Sequence, residues 1–390
     1  MLPYTDLPYF LVILAVALPA LLLGAAGRSR SGWLLAAAAL MAVVHHGPRS
    51  VPLAGHGVSE LALVLSYGVF QLALAFGFAR FRARRRSPRV FALAVAASLA
   101  PLFAVKLGSL LRPDSLVGFI GISYVTFRAV DALIHVHDGL TPALRPAAYL
   151  AYLFFPATVS SGPIDRYRRF VADFETTPSR DDFLERLDFG VGRLFQGLLY
   201  KFVFAGLVQE FLVAPFEAAH GVLGVIAYMY AYSAYLFFDF AGYSAIAVGI
   251  SRLFGVRSPE NFDRPYLATN ITDFWNRWHI SLSTWFRDHV YMRFVIAATR
   301  GRWFGGNRYW ASAVGFLITF LLMGAWHGLE PRYLVYGGYH AALLIAHQSI
   351  GRWTRGRPQL AASRAWRWLG IAVTLNAVCF GFLIFSGRLG

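Results

Sequence analysis

YAYSAYLFFDFAGYSAIAVGI, residues 230–250, closes an apolar run that begins at 222 and holds one carboxylate, Asp239. A bilayer core about 30 Å thick asks for roughly 20 apolar residues per helix, so this run predicts a membrane-spanning helix. Outward from it, further apolar runs occur at 9–27, 33–46, 58–79, 90–107, 116–135, 190–214, 309–328, 332–350 and 368–387. Composition agrees with that pattern. Hydrophobic residues make up 57% of the 390 and charged residues 14%, against about 25% charged in soluble chains. The expectation is an all-α polytopic membrane protein, one domain over 1–390, without internal repeats. The first run is too long and uniform for a cleaved signal peptide and reads as a retained helix.

The formal net charge is +16, and among 36 Lys and Arg only Lys106 and Lys201 are Lys. Arg fills the gaps between apolar runs: Arg80, Arg82, Arg84, Arg85, Arg86 and Arg89 in one loop, nine more between 251 and 308, five between 351 and 367. With no soluble basic domain to carry this charge, it points to a membrane surface and membrane lipids rather than nucleic acid. Basic loops face the cytoplasm, which puts both termini outside. The arithmetic closes only if AAYLAYLFFPATVSSGP (147–163) turns back as a re-entrant segment, broken at Pro156 and over Ser160–Pro163. That leaves about ten or eleven helices, with 164–189 and 251–308 as cytoplasmic or interfacial segments. DDFLERL within 164–189 reads as a short amphipathic helix. Cys379 stands alone, which excludes a disulfide framework, a Cys-ligated zinc site and a CxxC centre.

Ionisable groups at membrane depth are functional candidates by default. Asp239 is one; the competing reading is an interhelical partner for an Arg or a Tyr hydroxyl. A second candidate is NFDRPYLATNITDFWNRWHISLSTWFRDHVYMR (261–293), too polar to span. Its helix start lies at Thr269/Asn270/Thr272, with Asp273 in the first turn. From there Trp275, Trp278, Leu282, Trp285 and Phe286 recur on one helical face. His279 falls beside that stripe, with Asn276 and Ser283 in reach along a continuous helix, and Arg277, Arg287 and Arg293 turned toward the cytoplasm. The alternative is an interfacial Trp belt with one satisfied His. The third candidate is FLLMGAWHGLEP, where His327 ends an apolar run beside Trp326, Gly324 and Gly328. A neutral imidazole held from bulk water suits a general base. His45/His46 and His135/His137 lack the carboxylates or Cys of a metal site, so no metal is expected, and His340 and His347 read as helix packing.

DFWNRWHISLSTWFRDHVYMR, MGAWHG (323–328), SGPIDRYRRF (161–170) and FRAVDALIHVHDG (127–139) together resemble the membrane-bound O-acyltransferase (MBOAT) family, most of all its branch from the teichoic-acid D-alanylation system. The resemblance implies a ring of helices around a central tunnel in a bacterial cytoplasmic membrane. It implies His327 as catalytic base and His279 as the second catalytic His, orienting the acceptor or stabilising an oxyanion with Asn276 near it. It further implies Trp275, Trp278, Ser283, Trp326 and Asp239 as substrate contacts, and Arg277, Arg287 and Arg293 as the docking face for an acidic D-alanyl carrier protein. The donor would be that carrier's phosphopantetheine thioester, with no bound cofactor. The acceptor would be a hydroxyl of teichoic acid or another envelope glycopolymer, reached directly or through a relay protein. Arg in place of Lys and abundant Ala suggest a GC-rich genome, which widens the choice of acceptor.

Two other readings share these residues. A polysaccharide O-acetyltransferase of the alginate type carries a similar His-bearing helix, although it usually continues into a Tyr-Ile-Pro-Leu-Gly-Gly-like run that Tyr291-Met292-Arg293-Phe294 is not. A non-catalytic transporter of acyl groups would depend on Asp239 more than on His327.

Overall fold

The computed structural model describes residues 3–47, 49–53, 56–111, 118–141, 143–354 and 363–389. Each apolar run of the sequence coincides with a helix: α1 Leu7–Ala25, α2 Ser31–His46, α3 Glu60–Arg84, α4 Pro88–Leu111, α5 Ile122–Asp138, α8 Arg180–Glu217, α9 Val222–Leu253, and, beyond the Trp-rich segment, Arg308–His327, Pro331–Thr354 and Arg364–Ser386. The short α6 (Pro146–Leu153) and α7 (Tyr167–Glu175) lie between α5 and α8. Apart from a hairpin pairing β1 (Ser50–Leu53) with β2 (His56–Ser59), no sheet occurs among the described residues.

Seven of these helices are long and apolar enough to cross a membrane, fewer than the sequence expectation. At 1.5 Å per residue the 16-residue α2 reaches only about 24 Å. α5 has 17 residues and buries Arg128 and Asp131. Pro331–Thr354 carries His340, His347 and Gln348 among its apolar residues. DDFLERL is not a separate helix either. It opens α8, which continues through two π-helical stretches, Leu199–Phe204 and Gln209–Val213.

The chain packs as two compact units, one of 1–197 with 243–259, the other of 198–242 with 260–390. In the first, α6 stops at Leu153 and the chain from Phe154 to Arg166 is not helical. Eight helical residues cover about 12 Å, too little to cross. The backbone freed by that stop is satisfied by protein. Arg128, buried on α5, donates to the carbonyls of Tyr152 and Leu153 at the end of α6 and to that of Thr158, at 2.9, 3.1 and 3.0 Å. The Tyr4 hydroxyl donates to Ala157 O. Acidic nodes fix the rest of this unit. Asp131 accepts from Arg166 Nη1 and Tyr167 N, and Asp173 accepts from Arg257 N and Nε, both at 2.8 Å. The basic residues of 164–189 and 251–259 are therefore largely engaged in structure.

In the second unit, Arg308–His327 and Pro331–Thr354 form a tight antiparallel pair joined by a short turn. A Cβ on Gly324 would sit 2.3 Å from Tyr333 O, and one on Gly337 would sit 2.3 Å from Phe320 O. Glycine at both positions lets the two backbones touch, which fixes where the first helix ends and delivers its last residue, His327, to the turn.

Candidate active site

His279 and His327 line one small cavity of about 60 Å³ in the second unit. Trp275, Trp278 and Leu282 form its wall on one side, Leu236 and Phe240 of α9 on another, and Met323, Tyr336, Phe382 and Phe385 complete it. Among the described residues that line it, the titratable side chains are the two imidazoles and the phenol of Tyr336, so the space is apolar and aromatic with two imidazoles set in it.

The Trp-rich segment does not form the continuous helix that its spacing predicts. Asn270 caps a first short helix, α10 (Ile271–Trp275), by accepting from Asp273 N at 2.8 Å. The chain then turns. Phe262 and Trp278 pair as an antiparallel bridge, and His279 takes φ 43°, ψ 52° before α11 (Ile280–Phe286) begins. A left-handed conformation at a non-glycine residue costs on the order of 1–3 kcal/mol and persists only where surrounding contacts impose it. Here it redirects the chain so that the imidazole, 4% exposed, stands in the cavity wall edge to face with Phe240, ring centroids 4.7 Å apart.

Neither ring nitrogen of His279 has a hydrogen-bond partner among the described residues, and the same holds for Trp275 Nε1. Buried polar atoms are nearly always paired, and a group entering the cavity that these residues line could pair them. Burial pushes the His279 imidazole down to about 3, with His327 adding to the shift. It is therefore neutral at physiological pH, able to donate from one nitrogen and accept at the other. His327 packs against Trp326 at 4.5 Å and Phe385 at 5.1 Å, and Trp326 also lies 6.5 Å from His279.

Of the residues singled out from sequence, the structure brings together His279, His327, Trp275 and Trp278, with Trp326 in ring contact with both imidazoles. Others lie outside the lining. The turn at 276–279 leaves Asn276 exposed as the C-cap of α10, and Ser283 Oγ donates to Trp278 O, so that Ser283 meets His279 through its backbone N–H. The assignment of Asn276 had assumed an unbroken helix. Asp239 pairs with Lys201 Nζ at 2.5 Å, an interhelical partner as in the competing reading but a Lys where that reading had an Arg or a Tyr hydroxyl, while its neighbour Phe240 faces the cavity. Arg277 is held by Asp273 at 2.7 Å and Arg287 by Asp288 at 2.9 Å; Arg293 is half-buried. Phe240, Tyr336 and Phe385 were not singled out, because aromatic residues are too common here to distinguish one from another: the chain is 16% aromatic. His340 packs helices, as expected, but does so fully buried and directly behind the site, its ring 5.0 Å from Trp275 and 4.5 Å from Tyr336.

The model of the membrane-bound O-acyltransferase family matches residues 63–389, which include the whole cavity. The chain belongs to this family. Like other members it is a membrane-bound acyltransferase and a multi-pass membrane protein. It is 40% identical to the teichoic acid D-alanyltransferase of Bacillus subtilis (strain 168), over all of this chain and 98% of that one. With the teichoic acid D-alanyltransferase of Streptococcus thermophilus it shares 36% identity, over 99% of this chain and 95% of that one. The probable alginate O-acetylase of Pseudomonas aeruginosa is 34% identical over 69% of this chain and 49% of its own length. Family membership removes the non-catalytic transporter reading.

Proposed function

We propose that the protein transfers a D-alanyl group from the phosphopantetheine thioester of a carrier protein to a hydroxyl of an envelope glycopolymer, teichoic acid or a related polymer. The observation that carries this reading is the end-to-end similarity to teichoic acid D-alanyltransferases, where the acetylases match over half their length. The cavity supports it chemically. An apolar site with two histidines suits acyl transfer to a hydroxyl, and it needs neither metal nor bound cofactor to do so.

In this reading the acceptor oxygen bonds to the thioester carbonyl carbon and the C–S bond breaks. His327 takes the hydroxyl proton, and that proton leaves with the pantetheine sulfur. The low basicity of His279 supports this division of roles. A group whose pKa is pushed to about 3 is a poor base near neutral pH, where an effective base titrates close to the working pH. His279 therefore acts as a neutral hydrogen-bonding group, orienting the acceptor or donating to the developing oxyanion. The loops at 80–89, 251–308 and 351–367 would face the cytoplasm and meet an acidic carrier there, while the acceptor, or a relay protein bearing it, would approach from outside with both termini.

The test is a choice of donor. Membranes containing the protein are given carrier loaded with labelled D-alanine or, separately, an acetyl donor. Discharge of the D-alanyl carrier with label appearing in envelope material supports the reading. Consumption of acetyl donor with the D-alanyl carrier untouched assigns the same site to O-acetylation.

A further inference from the structure

We infer that Asn261 is the positioning residue for His279, substituting for it as the cap of α11 and so leaving its imidazole free for chemistry. The first N–H groups of any helix have no partner within the helix, and the residue at the cap normally satisfies one of them with its own side chain. At α11 the cap is His279, and it makes no such bond. Asn261 makes the bonds instead. Its main-chain oxygen accepts from Ile280 N at 3.0 Å, and its side-chain Oδ1 accepts from Ser281 N at 3.1 Å. One residue thus holds the first two N–H groups of the helix on the two positions that follow His279.

The surrounding contacts make this clamp specific. Asp263 N donates to Arg277 O at 3.0 Å, so that 261–263 and 277–280 form a short antiparallel pairing around the Phe262–Trp278 bridge. His279 O in turn accepts from Ser283 N, starting the helix ladder. The chain is held on both sides of His279, and this is what maintains the left-handed conformation there. Asn261 is completely buried, so its oxygen cannot be replaced by bulk water. A short side chain with an oxygen acceptor meets all of these demands, whereas an apolar residue of similar size would remove the acceptor of Ser281 N and with it the hold on the His279 turn.

The inference concerns acyl transfer at this site and deepens the proposed function by adding a residue that touches neither donor nor acceptor. It is tested with full-length protein in membranes, using carrier loaded with labelled D-alanine, in wild type, Asn261→Ala and Asn261→Asp. Misplacing a reacting group by about 1 Å can cost about 10²-fold in rate. The expected result is a 10- to 100-fold fall in kcat for Asn261→Ala, with KM for the carrier and the amount of folded protein unchanged. Asn261→Asp keeps an oxygen acceptor at the helix start, where a negative charge is favoured, and is expected to restore kcat to within a few-fold of wild type. Transfer by Asn261→Ala at the wild-type rate overturns the inference. So does an equal loss in both variants, or a loss that follows folded protein or KM, because either marks a packing role alone. If wild type uses an acetyl donor instead, the D-alanine reading fails, and the same three proteins compared with that donor decide the role of Asn261 separately.

Discussion

The rings of His279 and Phe240 meet edge to face, with centroids 4.7 Å apart and planes at 84°. That contact is part of the apolar shell that holds His279 neutral, and it has a consequence for stability. Burial lowers the folded-state pKa to about 3, while an unfolded histidine titrates near 6.5. Between those values the unfolded chain binds the extra proton, so stability rises with pH across the window and is lost as pH falls from about 6.5 toward 3. The slope from this one group is about 1.4 kcal/mol per pH unit well inside the window. His279→Phe removes the term. In detergent, the melting temperature of wild type should therefore drop relative to this variant as pH is lowered from 7 to 5, and parallel curves would contradict it.

The paired helices that carry His327 make opposite predictions for two adjacent glycines. Alanine at Gly337 would place its methyl 2.3 Å from Phe320 O, a backbone atom, whereas at Gly338 nothing lies within 4 Å. Gly337→Ala should push the helices apart, displace His327 and reduce both folded protein and transfer. Gly338→Ala should be tolerated, or gain up to about 1 kcal/mol from helix propensity. Thermal melts and transfer rates of the two variants check this directly.

Arg128 serves the first unit as Asn261 serves the second. It satisfies carbonyls at a place where the chain leaves helical geometry. Arg128→Met retains much of the side chain's bulk but leaves those oxygens buried without donors, at about 1–3 kcal/mol each. Loss of monodisperse protein on size-exclusion chromatography is expected. A normally folded Arg128→Met would mean that those carbonyls do not depend on the Arg128 guanidinium.

The helices were readable from sequence because hydrophobic length alone decides them, as in 222–250 and 309–328. The stop after Leu153 was readable because Pro156 and Ser160–Pro163 cannot continue a helix. His279 and His327 stood out because imidazoles are rare against apolar surroundings. The turn at His279 was hidden: Trp275, Trp278, Leu282 and Trp285 fit helical spacing, and what breaks the helix is a long-range clamp by Asn261 that no local pattern announces. For the same reason Asn276 looked like a neighbour of His279 along one helix, whereas it ends the helix before the turn. Asp239 drew attention as a carboxylate in an apolar run, but its partner Lys201 lies on another helix, and only packing could show that the two satisfy each other.

The central claim is that His327 and His279 share one acyl-transfer site, and single-turnover discharge of carrier loaded with labelled D-alanine tests it most directly. General-base assistance is worth roughly 10²- to 10⁴-fold. His327→Ala should therefore slow label transfer by that factor at unchanged protein level, with His279→Ala also strongly impaired. Transfer at the wild-type rate by His327→Ala would contradict the account.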